Sequence, residues 1–222
     1  MRYRAGPWPA RLVALGGLLL AATSVCAQEY RLPFAGRWFV AQGGDTPNVN
    51  HHMSVRAQWY GIDFAKVGGP GERSLARGSG STIEDFYAWG AEVLSPVDGE
   101  VIAVSDELPD NPIGVKDAVH PAGNHVVIKA RTDRFVYLAH FRSKSVAVRP
   151  GQKVTRGEVL GLCGNSGNSD FPHIHMHVQD TPTFNAGTGQ NIVFSGMNVE
   201  LTGKQFQKVD WPVIAGLFVW NE

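Results

Sequence analysis

His173, His175 and His177 stand at alternate positions of one short segment, with Ile174, Met176 and Val178 between and after them. Alternate side chains of a β-strand face the same way. The spacing therefore puts three imidazoles on one side of a strand and three apolar side chains on the other. Neutral imidazole is a good ligand for transition metals, and two histidines at this spacing suit a zinc site. The bland alternative is a polar sheet face carrying unconnected histidines. Asp63, His140 and the pair His51-His52 are the other groups that could join such a site. Taken singly, Asp63 reads as a solvated turn carboxylate and His140 as a strand-end histidine bonded to backbone. His177 shares the face of its two neighbours and suits an orienting role behind a ligand. His120 and His125 lie in or beside a long loop and are expected at the surface. Cys163 follows an apolar strand and reads as a small core residue. Ser166 and Ser169 lack the surroundings of a nucleophile elbow.

The elements that must position these groups are short and β-rich. The chain has 222 residues with 26 Gly and 13 Pro, and 43% of it is hydrophobic. So many turn formers favour short strands over a helical bundle, and no long helix is evident. Residues 28–50 read as an entry segment and 51–222 as the main domain with a C-terminal strand extension. Tyr60 to Ala65 is extended, and Val67 to Glu84 is a Gly-, Ser- and Arg-rich loop. Glu92 to Val104 reads strand, turn, strand, with Asp98-Gly99 as the turn. Residues 105–123 form a Pro/Asp-rich loop. Asn124–Lys129 and Phe135–His140 are two strands joined by Thr132-Asp133-Arg134. Val159–Cys163 is another, and further strands are expected near Ile192–Phe194 and Val213–Trp220.

The motifs stand in a series. Gly164-Asn-Ser-Gly-Asn-Ser-Asp-Phe-Pro-His-Ile-His-Met-His177 resembles the Gly-x-Ser/Thr-Gly-x-Ser/Thr-x-x-Pro-His-Leu-His signature of the M23 family, the lysostaphin-type, LytM-like zinc endopeptidases of bacterial cell walls. Gly61 to Ala65, Pro96 to Val101, Gly123 to Ile128, Tyr137 to His140 and Gly151 to Gly161 resemble the family's other blocks, in its order. The resemblance covers roughly residues 50–180. It implies an all-β fold: a largely antiparallel sheet with a small second sheet (a barrel-sandwich hybrid of the duplicated-hybrid-motif type), with loops 67–90 and 105–123 walling a groove. It implies one Zn²⁺ ion held by Asp63 and His175, with His140 and His173 flanking the attacking water and the scissile carbonyl, and peptidoglycan or a peptide as substrate. A zinc site with three protein ligands and one open position fits that chemistry.

One position departs from the pattern. The family's first motif is His-x-x-x-Asp, and here Trp59 stands four residues before Asp63. Indole is not a zinc ligand. His51 and His52 are the nearest substitutes. A straight strand would separate His52 from Asp63 by roughly 36 Å, so the chain must reverse between them. A turn at Ala57-Gln58 would set His52 opposite Asp63 on one sheet face and turn His51 away. His52 is therefore expected as the third ligand. The alternative function is a degenerate domain of the same fold that binds wall or activates another hydrolase. Biotinyl/lipoyl carriers share the strand pattern, but no hairpin-tip lysine is present. Cupin barrels share His-x-His, but the glutamate that should follow is missing.

Arg2, Arg4 and Arg11 precede the apolar run Leu12 to Ala22, and Val25-Cys26-Ala27 offers a cleavage point. This reads as a secretory signal peptide, with a periplasmic or extracellular product and no integral span after cleavage. Removing residues 1–27 takes three of 20 basic residues and none of 20 acidic ones, so the net charge goes from zero to −3. A mildly acidic chain has no electrostatic footprint for nucleic acid. Cys163 would remain as the sole cysteine, leaving no internal disulfide.

Overall fold

The computed structural model describes residues 30–221, apart from 70 and 132; the expected signal peptide lies outside the described residues. Among the described residues, regular structure is almost entirely β. In chain order the strands are β1 (Trp38–Gln42), β2 (Ile62–Lys66), β3 (Glu92–Leu94), β4 (Gly99–Ser105), β5 (Asn124–Arg131) and β6 (Arg134–Phe141). Then follow β7 (Lys153–Val154), β8 (Val159–Leu162), β9 (Ile174–Gln179), β10 (Phe194–Leu201), β11 (Lys204–Trp211) and β12 (Phe218–Trp220). Ten of them form one sheet in the order β11-β10-β12-β1-β2-β9-β6-β5-β4-β7, and β3 and β8 form a second, two-stranded sheet. Every paired neighbour is antiparallel. This is the all-β, largely antiparallel architecture expected from the sequence.

The two-residue alternation explains how one sheet serves both a core and a site. Ile62 and Phe64 of β2, Val136 and Leu138 of β6, and Ile174, Met176 and Val178 of β9 all enter the main hydrophobic core. Asp63, Ala139, His175 and His177 therefore point to the opposite face. That face is also covered at one end, where Val127, Phe135 and Tyr137 form a second small cluster.

Three segments differ from their sequence reading. The segment 28–50 contains β1, which lies inside the large sheet between β12 and β2. Its Trp38 stacks on Phe34 with ring centroids 4.5 Å apart, and Phe34 meets the edge of Phe64 at 5.0 Å. Pro33 and Gly36 just upstream had masked that strand. The strands around Asp98-Gly99 do not form a hairpin: β3 pairs with β8, whereas β4 pairs with β5 and β7. Val93, Val97 and Val101 all enter the same core, so the chain bends over it instead of folding back. Near the C-terminus, the hairpin of β10 and β11 turns at Thr202-Gly203, both with positive φ, a signal the sequence carries. The side chains of β11 are nearly all exposed, so no alternation marked it.

Candidate metal centre

The site is built on three adjacent strands. Asp63 of β2 is the direct cross-strand partner of His175 on β9, and His175 in turn faces Ala139 on β6. Direct partners have their Cβ atoms about 5 Å apart on one face. Asp63 Oδ1 and His175 Nδ1 accordingly lie 2.9 Å apart. Ala139 is small and leaves the space above it open. The next residue, His140, fills that space through a bulge: Asn124 pairs with Phe141 and His125 with Ala139, so His140 is the extra residue. Its φ is +67°, in the left-handed region that few non-glycine residues adopt. Bulges of this kind re-aim a side chain beside a functional site. Here the bulge brings the His140 ring to 4.8 Å from that of His173 and 5.9 Å from that of His175, between centroids.

His52 reaches the same place by a different route from the one expected. Two short 3-10 turns, His51–Ser54 and Arg56–Gln58, reverse the chain, and there is no β-hairpin. The strand partners of Asp63 are Gln42 and His175. Asn50 caps the first turn, accepting from His52 N at 3.1 Å. The reversal leaves His52 buried, with Nε2 3.4 Å from Asp63 Oδ1. His51 is exposed, and its ring lies on that of His52 at 4.1 Å. The ligand atoms of His51, His52 and Asp63 all lie within 4.8 Å of one another. Both histidines thus come to the site, but only His52 is buried there. Trp59 is held away from ligand duty, its indole N–H donating to Met53 O at 3.0 Å.

The hydrogen bonds around the rings set their orientation. A neutral imidazole has one N–H and one lone pair. Asn50 Nδ2 donates to Gly44 O at 2.7 Å, so its oxygen faces His52 and accepts from Nδ1 at 2.8 Å. His173 Nδ1 donates to Phe171 O at 2.8 Å, and His140 Nδ1 donates to Ser166 O at 2.8 Å. In each ring the lone pair is therefore on Nε2. Those of His52 and His173 lie 3.4 and 3.6 Å from Asp63 Oδ1. A carboxylate ringed by imidazole lone pairs is a donor set for a cation, and one carboxylate oxygen with two imidazoles suits zinc.

Electrostatics follows from burial. Burial pushes His52 down to about 3 and holds His140 and His177 well below the usual histidine range. Burial alone would raise Asp63, but the His52 and His173 rings outweigh it and the carboxyl sits well below its ordinary value. Burial likewise opposes a charge on His173, and the Asp63 carboxylate overrides it, so His173 is raised.

A cleft of about 490 Å³ opens over these groups. Lys116, Pro121 and Ala122 from the 105–123 loop line it, as expected. Among its described residues the 67–90 loop does not line it; it backs the wall through Phe86, which stacks on Phe171 at 5.8 Å. The opposite wall comes from the reversal at 51–58 and from Phe184 and Asn185. Cys163 is buried, as read from the sequence; His120 is exposed and pairs with Asp117, whereas His125 is partly buried above Tyr137. The residues the sequence reading missed are Asn50, Ser166 and Gln179, which hold the rings; Gln179 continues the His-x-His-x alternation and was legible in it.

The backbone behind His140 has no room to spare. Gly123 has φ +58°, and a Cβ there would lie 2.4 Å from Ser166 O, the carbonyl that holds His140. Gly123→Ala is expected to cost about 3–5 kcal/mol in urea unfolding. Gly114, with φ +76° and open space around it, supplies the control. Alanine there should cost only the roughly 1–2 kcal/mol of left-handed backbone. Equal losses at the two positions would refute the clash.

The family model for peptidase family M23 matches residues 81–192. Over 60 residues the chain is 42% identical to peptidoglycan DD-endopeptidase ShyA of Vibrio cholerae, covering 27% of this chain and 14% of that protein. Over 94 residues it is 31% identical to cell division protein DipM of Caulobacter vibrioides, covering 42% of this chain and 13% of that protein. The chain thus spans a small part of the length of the curated relatives it matches. A solved zinc-containing peptidase from Vibrio cholerae aligns with a TM-score of 0.44 at 23% identity, over 73% of this chain and 39% of that one.

Proposed function

The chain belongs to peptidase family M23, and on that premise we propose that it is an exported zinc endopeptidase cutting peptide bonds in peptidoglycan cross-links or stem peptides. The observation that carries this reading is the convergence of His52 Nε2, His173 Nε2 and His175 Nδ1 on Asp63 Oδ1, within 2.9–3.6 Å, at the floor of an open cleft. His52, Asp63 and His175 would hold one zinc ion. When bound, zinc polarises the scissile carbonyl and makes water nucleophilic near neutral pH. His140 and His173 would do the proton work. Each is tied to a backbone carbonyl through Nδ1, which fixes its ring and leaves the lone pair on Nε2, which in His173 lies 3.6 Å from Asp63 Oδ1. His140, kept neutral by burial, can take the proton of the attacking water at Nε2 as the new C–O bond forms; His173, raised by the Asp63 carboxylate, is the ring suited to carry a second proton on Nε2 and give it to the developing oxyanion. Breaking the C–N bond then needs a proton on the departing amine, which the first histidine can return.

The substrate assignment draws on the peptidoglycan endopeptidase among the relatives. Export draws on the N-terminal segment; among the described residues no helix is long and apolar enough to cross a membrane. Metal analysis with digestion of purified murein tests the reading. Wild type should carry one zinc per chain and release muropeptides, a chelator should stop it, and added zinc should restore it. A metal-free wild type as inactive as His175→Ala would leave only a wall-binding or activating module.

A further inference from the structure

His177 is fully buried on the site's face of β9, and the reaction above does not use it. Its ring lies parallel to that of Tyr137, with centroids 4.8 Å apart and an interplanar angle of 5°. Its Nδ1 is 2.9 Å from His175 Nε2, and its Nε2 is 3.2 Å from Gln179 Oε1. The direction of every hydrogen in this row can be read from its far end. Gln179 Nε2 lies 2.7 Å from Thr181 O and 2.6 Å from Thr183 O. Turning the amide over would set its oxygen against both carbonyls, so the nitrogen faces them and Oε1 faces His177. An amide oxygen only accepts. His177 Nε2 must then carry the hydrogen, and its Nδ1 the lone pair. His175 Nε2 must donate to that lone pair. What remains is a lone pair on His175 Nδ1, facing Asp63 Oδ1 at 2.9 Å. Two lone pairs at that distance repel unless a proton or a cation lies between them.

We propose that Gln179 and His177 are positioning residues that, through this row of hydrogen bonds, lock His175 in the tautomer that offers Nδ1 to the zinc ion. The inference rests on His175 being a ligand. Outer partners that orient a metal-bound histidine fix its tautomer and raise its basicity. In this protein the partner is a second histidine, and its own orientation is set two residues further along the same strand. Tyr137 contributes by clamping the His177 ring in plane, while its hydroxyl donates to Pro182 O at 2.6 Å.

The test measures zinc affinity by chelator competition in the full chain. His177→Phe keeps an aromatic ring against Tyr137 but has no acceptor for His175 Nε2. It should weaken zinc binding by about 10–100-fold, with the unfolding midpoint of the zinc-free protein retained. His177→Asn places an acceptor oxygen near the Nδ1 position and should recover most of the affinity. Gln179→Met should weaken binding as His177→Phe does. Independently of any variant, ¹⁵N spectra of the zinc-loaded wild type should place the imidazole hydrogens of both His175 and His177 on Nε2. Unchanged affinity in His177→Phe, or a His177 hydrogen on Nδ1, would overturn the proposal. A wild type that binds no zinc would instead overturn the site reading beneath it.

Discussion

Alanine at His52 is expected to strip the protein of zinc and of hydrolytic activity together, whereas Trp59→Ala should leave zinc bound. The family pattern has its first ligand four residues before Asp63, where this chain has Trp59; the ligand proposed in its place is His52, whose Nε2 lies 3.4 Å from Asp63 Oδ1. A structural zinc site is worth roughly 10–16 kcal/mol, and an equal share for each of four ligands is about 2.5–4 kcal/mol. Removing His52 should therefore weaken zinc by about 60- to 700-fold in chelator competition. His51→Ala separates the neighbours. His51 is exposed, its ring tilted against that of His52, and it lacks the Asn50 bond that aims the His52 ring. Its loss should change affinity far less. Zinc retained in His52→Ala and lost in His51→Ala would exchange the two assignments. Trp59→His combined with His52→Ala should not restore binding, because that side chain is directed to Met53 O.

The His-x-His strand could be read from the sequence because it depends on local order, whereas Asp63 and His140 came to the site only through the resemblance of the motif series. Alternation puts His173, His175 and His177 on one face, and antiparallel pairing then sets Asp63 beside His175. His52 was legible only as a need: some residue had to replace Trp59, and the chain had to turn. The actual turn is two 3-10 segments capped by Asn50, and no Gly or Pro announces it. The cap is a short polar side chain of the kind that starts such turns. The β1 strand was hidden for another reason. Trp38 and Val40 are fully buried, yet their partners lie on β2 and on β12, some 180 residues away. Pairing across that distance leaves no local period. The His140 bulge is likewise invisible in sequence, since it exists only as a mismatch between β5 and β6.

Those same non-local features brace the groups proposed to hold the metal separately from those proposed to move protons. His52, Asp63 and His175 approach one another from a turn and two paired strands, each braced by its own neighbour: Asn50, the β2–β9 pairing and His177. His140 and His173 are braced separately, by Ser166 O and Phe171 O on the turn-rich loop before β9. That loop carries the Gly-x-Ser-Gly-x-Ser pattern of the signature. Its role here is mechanical: Ser166 Oγ donates to Phe141 O at the end of β6, 2.8 Å away, and accepts from Asn124 N at 2.9 Å. The two sets of supports can therefore be disturbed one at a time.

His140→Asn and His173→Ala are accordingly expected to lose turnover while keeping zinc. Asparagine tolerates the positive φ at position 140 better than alanine, so the bulge should survive the first substitution. Neither change replaces His52, Asp63 or His175, although His173 Nε2 lies 3.6 Å from Asp63 Oδ1, and zinc stoichiometry should stay at the wild-type value. General acid–base assistance contributes about 10²–10⁴-fold to a rate. Each single variant should fall by that much in kcat on a soluble peptide substrate, with KM little altered, since the loss is confined to the transition state. The double variant should be only slightly worse than either single one, because the two rings serve one and the same transition state. Additive losses would mean that they act independently. A His140→Asn enzyme with near wild-type kcat would remove His140 from the chemistry and leave its left-handed backbone without a functional reason.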